Sequence, residues 1–106
     1  MQAPQLFPAL EQGQVNMVAS TLTDGRLALP QYAILADDQS VFPPYQACLL
    51  VRQDALVENP EMRPALSTLS GKLSTAEVRK LAAAVDLERR KPADVAAEFL
   101  AGAGLK

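Results

Sequence analysis

The 106-residue sequence contains no histidine, no tryptophan and a single cysteine, Cys48. Without histidine, the usual general base near neutral pH and the commonest metal ligand are both missing. One cysteine cannot form an intramolecular disulfide, and between Ala47 and Leu49 it reads as a small buried hydrophobe rather than a reactive thiol. Charge of one sign is scarce too. The net charge is −2 and no run of five like charges occurs, so the basic footprint that nucleic-acid binders need is absent. No stretch approaches the ~18 apolar residues of a membrane span. Nor does a basic segment followed by an apolar run open the chain, so no signal peptide is expected in it as it stands, although a longer parent would carry one.

What is present is ordinary globular usage, 49% hydrophobic and 21% charged. That balance is enough to fold, and the length suits one domain over residues 1–106. Pro4, Pro8 and the apolar Leu6, Phe7 and Leu10 predict a short helix that starts near Pro8 and closes at Gly13. Residues 15–22 alternate weakly and predict a strand, Thr23-Asp24-Gly25 a turn, and residues 27–35 a second extended segment placed at an edge by Pro30. Asp37-Asp38-Gln39-Ser40 reads as a polar loop. Phe42-Pro43-Pro44-Tyr45 follows, extended because proline restricts the residue before it. The apolar run 47–51 fits a strand covered on both faces.

Helical signals then take over. Asn59-Pro60 offers a cap and a first position for a helix through Leu66 and Leu69 to Gly71, shortened or kinked by Pro64. Ser74 and Glu77 form a capping box ahead of Val78, Leu81, Ala82 and Val85 at spacing i, i+3, i+4, i+7. A final helix starts near Pro92 with Asp94 in its first turn and ends at Gly102 or Gly104. Arg89, Arg90 and Lys91 read as a solvated helix end. The fold expected from these signals is α/β: a few strands, about four helices, and a helix-rich C-terminal half.

Catalysis finds no footing in these residues. Asp37 and Asp38 are adjacent and point apart, with no base or nucleophile to complete an acid/base set, and Ser20, Thr21 and Thr23 lack a histidine or lysine partner. No glycine-rich phosphate loop occurs, and neither a metal nor a cofactor is expected. Tyr32, Phe42 and Tyr45 are open to two readings. Three aromatics in fourteen residues are ordinary core or strand residues, or their electron-rich faces hold a cation that donates no hydrogen bonds, such as a quaternary ammonium.

Motif order separates these readings. Leu6-Phe7-Pro8-Ala9-Leu10, Thr23-Asp24-Gly25, Asp37-Asp38, Phe42-Pro43-Pro44-Tyr45, Leu69-Ser70-Gly71-Lys72-Leu73-Ser74, Val85-Asp86 and residues 92–100 stand in one collinear series. The series resembles the C-terminal part of the substrate-binding proteins of glycine betaine/choline/carnitine ABC importers. The resemblance implies part of a type II periplasmic-binding-protein fold, in which two α/β lobes close over the ligand, and a binding protein rather than an enzyme. By that likeness Tyr45 forms a wall of an aromatic cage around the ammonium, and Thr23 and Asp24 line the cleft, unless Asp24 only caps a turn. Thr21 stands where many relatives carry a further cage tyrosine. The partners implied are a quaternary-ammonium ligand, the N-terminal lobe that this chain lacks and the ABC permease, at the periplasmic or extracellular face of the membrane. An alternative is a stand-alone interaction domain that keeps the scaffold without the ligand, assembling as a homodimer, in one form domain-swapped.

Overall fold

The computed structural model describes residues 3–105. A 3-10 turn, Ala3–Gln5, leads into helix α1, Leu6–Glu11. The helix starts two residues before the predicted start at Pro8, which lies in its first turn, where its missing N–H is one that no helical carbonyl would have accepted. The helix closes as a Schellman motif: Gly13 takes φ +69°, its N–H donates to Leu10 O at 3.1 Å, and Gln14 N–H donates to Ala9 O at 2.8 Å.

Four more helices follow, α2 over Gln53–Glu58, α3 over Met62–Ser67, α4 over Thr75–Asp86 and α5 over Pro92–Gly102. The capping residue of α4 is Ser74, whose hydroxyl accepts the Glu77 N–H at 3.1 Å, as the capping-box spacing predicts. A second Schellman closure ends α5, with Gly104 at φ +72° and Leu105 N–H on Leu100 O at 2.8 Å. The third helix begins two residues later than Asn59-Pro60 suggested. Met62 N–H donates to Asn59 O at 3.0 Å in a turn that precedes it, and Pro64 sits in the first turn of a helix that is short and ends at Ser67 rather than Gly71.

The α/β expectation is overturned: the described residues contain helices and no strand. Local hydrogen bonds close the end of the first predicted strand and replace much of the second. Asp24 N–H reaches Thr21 O at 3.0 Å, and residues Gly25–Ala28 wind into a 3-10 helix followed by Leu29 N–H on Arg26 O at 3.0 Å. The run 47–51 is extended but alone, and residues 43–51 make no backbone hydrogen bond within the described chain. A strand exists only as a partner in a ladder, and no second strand lies beside this one. Cys48, read as buried, is exposed for the same reason.

Packing is concentrated in one body. Phe7, Ala9, Gly25, Ala83, Ala84 and Val95 are its buried residues. Its most extensive contact joins α4 to the 3-10 helix Gly25–Ala28. Gly25 makes that approach possible: a Cβ there would stand 2.6 Å from Ala83 N and 2.8 Å from Ala82 C, both backbone atoms of α4. Across the same junction Arg79 Nε donates to Leu22 O at 2.7 Å. By contrast residues 33–50 are exposed throughout. The radius of gyration is 17.1 Å, against about 13 Å for a compact chain of this length. The accessible surface is 8701 Å2 for 11.3 kDa, about 3000 Å2 above the ~5700 Å2 of a compact monomer.

Candidate functional site

Two clusters of polar and aromatic side chains emerge, one on the packed body and one on the extended segment. The first is built around Asp24, which caps the 3-10 helix Gly25–Ala28 by accepting the Arg26 N–H at 3.0 Å. The guanidinium of Arg26 then returns to the same carboxylate, Nε to Oδ1 at 3.0 Å and Nη2 to Oδ2 at 2.7 Å, and Ser20 Oγ donates to Oδ2 at 3.3 Å. The Arg26 hydrogen bonds hold the Asp24 carboxyl below its ordinary value, and the same pairing raises Arg26. Four donors thus converge on one carboxylate, so Asp24 acts here as cap and anchor.

Arg26 also lies over the Phe7 ring, 3.8 Å from its centroid. Phe7 meets Tyr32 edge-to-face at 5.3 Å, and the Tyr32 hydroxyl donates to Glu11 Oε1, which raises the phenol. The cluster is therefore a closed set in which the ring of Phe7 already holds a cation supplied by the chain itself. Arg26 was not singled out from the sequence, and Phe7 only as an apolar residue of the first helix and its motif. The Asp-x-Arg spacing at 24–26 was the signal available, since a carboxylate two residues before an arginine can be both cap and ion-pair partner.

Thr21 and Thr23 flank this cluster. Thr21 is exposed and contributes its carbonyl to the turn, and Thr23 is half-buried. Tyr45 lies elsewhere. Its side chain is 89% exposed, and no hydrogen bond or ring contact joins it to Thr21, Thr23 or Asp24 among the described residues. The four residues read as one site are thus a turn of three on the packed body and a separate ring on the extended segment. Phe42 is 72% exposed on the same segment, so both rings present open faces to solvent.

The loop ahead of these rings is ordered by Asp37, whose carboxylate accepts the N–H groups of Val41 and Phe42, each at 2.9 Å. Those bonds, Phe42 first, hold its carboxyl below the ordinary value. Asp37, read as a solvated loop residue, is in fact the loop's fastening. Among the described residues, one hollow of about 350 Å3 lies beside α1 and another of about 510 Å3 between α4 and α5. Neither is lined by Thr21, Thr23, Asp24 or Tyr45. Near the second, Arg90 Nη2 donates to Glu98 Oε1 at 2.6 Å, so that part of the basic cluster ties α5 to the helix connection.

Residues 1–102 match the family described as the substrate-binding domain of ABC-type glycine betaine transport systems. The chain belongs to this family. It is similar to the carnitine transport binding protein OpuCC of Listeria monocytogenes, 36% identical over 100 residues that cover 94% of this chain and 32% of that protein. The glycine-betaine-binding protein of Pseudomonas aeruginosa is 35% identical over the same shares of each. An ergothioneine transport permease/ergothioneine binding protein of Helicobacter pylori, EgtU, is 27% identical over 93% of this chain and 18% of its own length. The chain spans about a third of the first two relatives. The collinear motifs therefore identified the right family. Among the described residues no helix is long and apolar enough to cross a membrane.

Proposed function

We propose that this chain forms the C-terminal part of a receptor that captures quaternary-ammonium osmolytes, such as glycine betaine, choline or carnitine, for an ABC importer, at the periplasmic or extracellular face of the membrane. It works by binding, as one unit over residues 1–106, and performs no catalysis. The family match over residues 1–102 carries the reading. The relatives sharpen it: carnitine, glycine betaine and ergothioneine, the ligands in their names, all bear a trimethylammonium head and a carboxylate. Such a head offers no N–H to an acceptor, so electron-rich ring faces are the protein groups that suit it. Tyr45 supplies one such face, with Thr23 and Asp24 framing the cleft at the turn and Thr21 opening the side where a further ring would stand.

Magnitudes then require more protein. One ring contributes about 0.5–2 kcal/mol, whereas micromolar affinity needs about 8 kcal/mol. The other walls come from the rest of the receptor, which also covers the extended segment. The excess of about 3000 Å2 on this chain corresponds to about 6000 Å2 when both partners' surfaces are counted, the scale of the largest obligate interfaces, 2000–5000 Å2 and above. Leu35, Val41, Leu49 and Leu50, all strongly exposed, are the apolar side chains that such an interface would take in. Calorimetric titration with glycine betaine, carnitine and choline tests the reading. Little heat is expected from the chain alone and saturable binding from the chain joined to the remaining two thirds of a receptor. No heat in either arrangement removes it.

The exposed apolar segment also favours a second reading, in which the chain keeps the scaffold and self-associates through that surface, by apposition or exchange of elements. Light scattering separates the two, since a ligand-free tight dimer supports self-association and a monomer that binds once completed contradicts it.

A further inference from the structure

Asp37 does something that a solvated loop residue does not. Its Oδ1 accepts the N–H of Val41 and its Oδ2 that of Phe42, each at 2.9 Å, and its carbonyl accepts the N–H of Ser40 at 3.2 Å. Ser40 adopts a left-handed φ of 51° to let the chain return to the carboxylate. Two consecutive amides are thus fastened to one carboxylate immediately before Pro43, by hydrogen bonds that its charge strengthens.

Downstream of that clamp the backbone has few soft torsions left. Pro43 and Pro44 hold φ near −65°. Phe42 and Pro43, each followed by a proline, are confined to extended ψ. Between the clamped amide of Phe42 and the Tyr45 Cα, only φ of Phe42, narrowed by the proline that follows it, and ψ of Pro44 remain adjustable. At about 3.1 Å per residue the Tyr45 Cα stands roughly 9 Å beyond the clamp on a stiff arm. Nothing else holds it, since no hydrogen bond or ring contact reaches Tyr45 among the described residues.

We propose that Asp37 is a positioning residue for the ligand-binding ring: by pinning the amides of Val41 and Phe42 it sets the direction in which Pro43-Pro44 present Tyr45. The inference rests on the reading of Tyr45 as a wall of the ammonium site. Its benefit to binding is entropic, because a segment ordered beforehand does not have to be ordered when ligand arrives.

The test uses choline and glycine betaine as probes, titrated calorimetrically into the receptor that the chain completes. Asp37→Ala weakens binding about tenfold, whereas Asp37→Asn, with one acceptor oxygen, falls between it and the unsubstituted chain. Tyr45→Ala weakens binding on its own. Adding Asp37→Ala to it costs nothing further, since no ring is left to position. A merely structural loss at Asp37 would be additive. Unchanged affinity in Asp37→Ala, or additive effects in the double variant, overturns the inference and leaves the Tyr45 reading standing. Unchanged affinity in Tyr45→Ala removes that reading and the inference with it. In the 106-residue chain itself, 15N relaxation is expected to show the amides of Val41, Phe42 and Tyr45 ordered and to show that order lost in Asp37→Ala while α4 is unaffected. Equal order in both chains contradicts the proposal.

Discussion

The extended segment is no less apolar in sequence than the packed body, yet only the body folds on itself. In the body, Gly25 lets the chain lie directly on the α4 backbone, Asp24 and Arg26 satisfy each other, and Phe7 and Tyr32 close the side. In the segment 33–50, Leu49, Leu50 and Tyr45 point into solvent, and the backbone from 43 to 51 has no partner in the described chain. The difference is one of neighbours rather than of hydropathy. Helices satisfy their backbone internally, so they form wherever a face can be covered, whereas an apolar extended run depends on another segment for every hydrogen bond.

The comparison is most easily broken at Gly25. Because the atoms a side chain would strike belong to the α4 backbone, Gly25→Ala should destabilise the body by about 3 kcal/mol, as overpacking of a tight site does, read as a lowered urea midpoint. A shift under about 0.5 kcal/mol, the size of an ordinary surface change, would mean that this junction is not what holds the body together.

Acid should act next. Asp24 and Asp37 both have carboxyl groups held below their ordinary value of 3.8. A depressed folded-state value stabilises the fold above the ordinary pKa and loses that contribution as pH falls through the folded one. Stability should therefore decline below about pH 4, and Asp24→Asn, which keeps a capping oxygen but not the ion pair, should flatten that decline. An identical acid profile in the variant would show that the Arg26 pairing contributes nothing to the body.

The smallest effect belongs to the segment. Leu50 is 93% exposed, so Leu50→Ser should change the stability of the chain by less than about 0.5 kcal/mol. A loss above about 1 kcal/mol would mean that the segment packs on the body after all, since exposed sites do not carry such effects.

The same contrast explains what the sequence made legible. Ser74 with Glu77, Gly13, Gly104 and Pro92 mark helix ends through bonds within a few residues, and α1, α4 and α5 were readable for that reason. Helix α2 escaped because six residues ending at Asn59-Pro60 carry too little periodicity, and α3 was displaced by a turn in which Met62 bonds to Asn59. Residues 47–51 did have the composition of a doubly covered strand, but the rule reads what the residues need and not whether it is supplied. For Cys48 the inference failed in the same way, since burial depended on cover that the chain does not contain. At the candidate site, Tyr45 was named through family likeness, and its open exposure beside two prolines is what the structure adds. The Asp24–Arg26 pairing was not, because the ion pair appears only once the 3-10 helix brings residue 26 back over residue 24.

Cys48 is the sole thiol and lies near the C-terminal end of the exposed run, so its reaction rate with a maleimide or an aromatic disulfide measures whether that run is covered. In the isolated chain it should react like an unhindered thiol, and once the chain is joined to the rest of a receptor the rate should fall by roughly a hundredfold, the factor expected when exposure needs a local opening of about 3 kcal/mol. Equal rates in the two states, with ligand bound in the second, would contradict the claim that residues 33–50 are the face on which the receptor is completed.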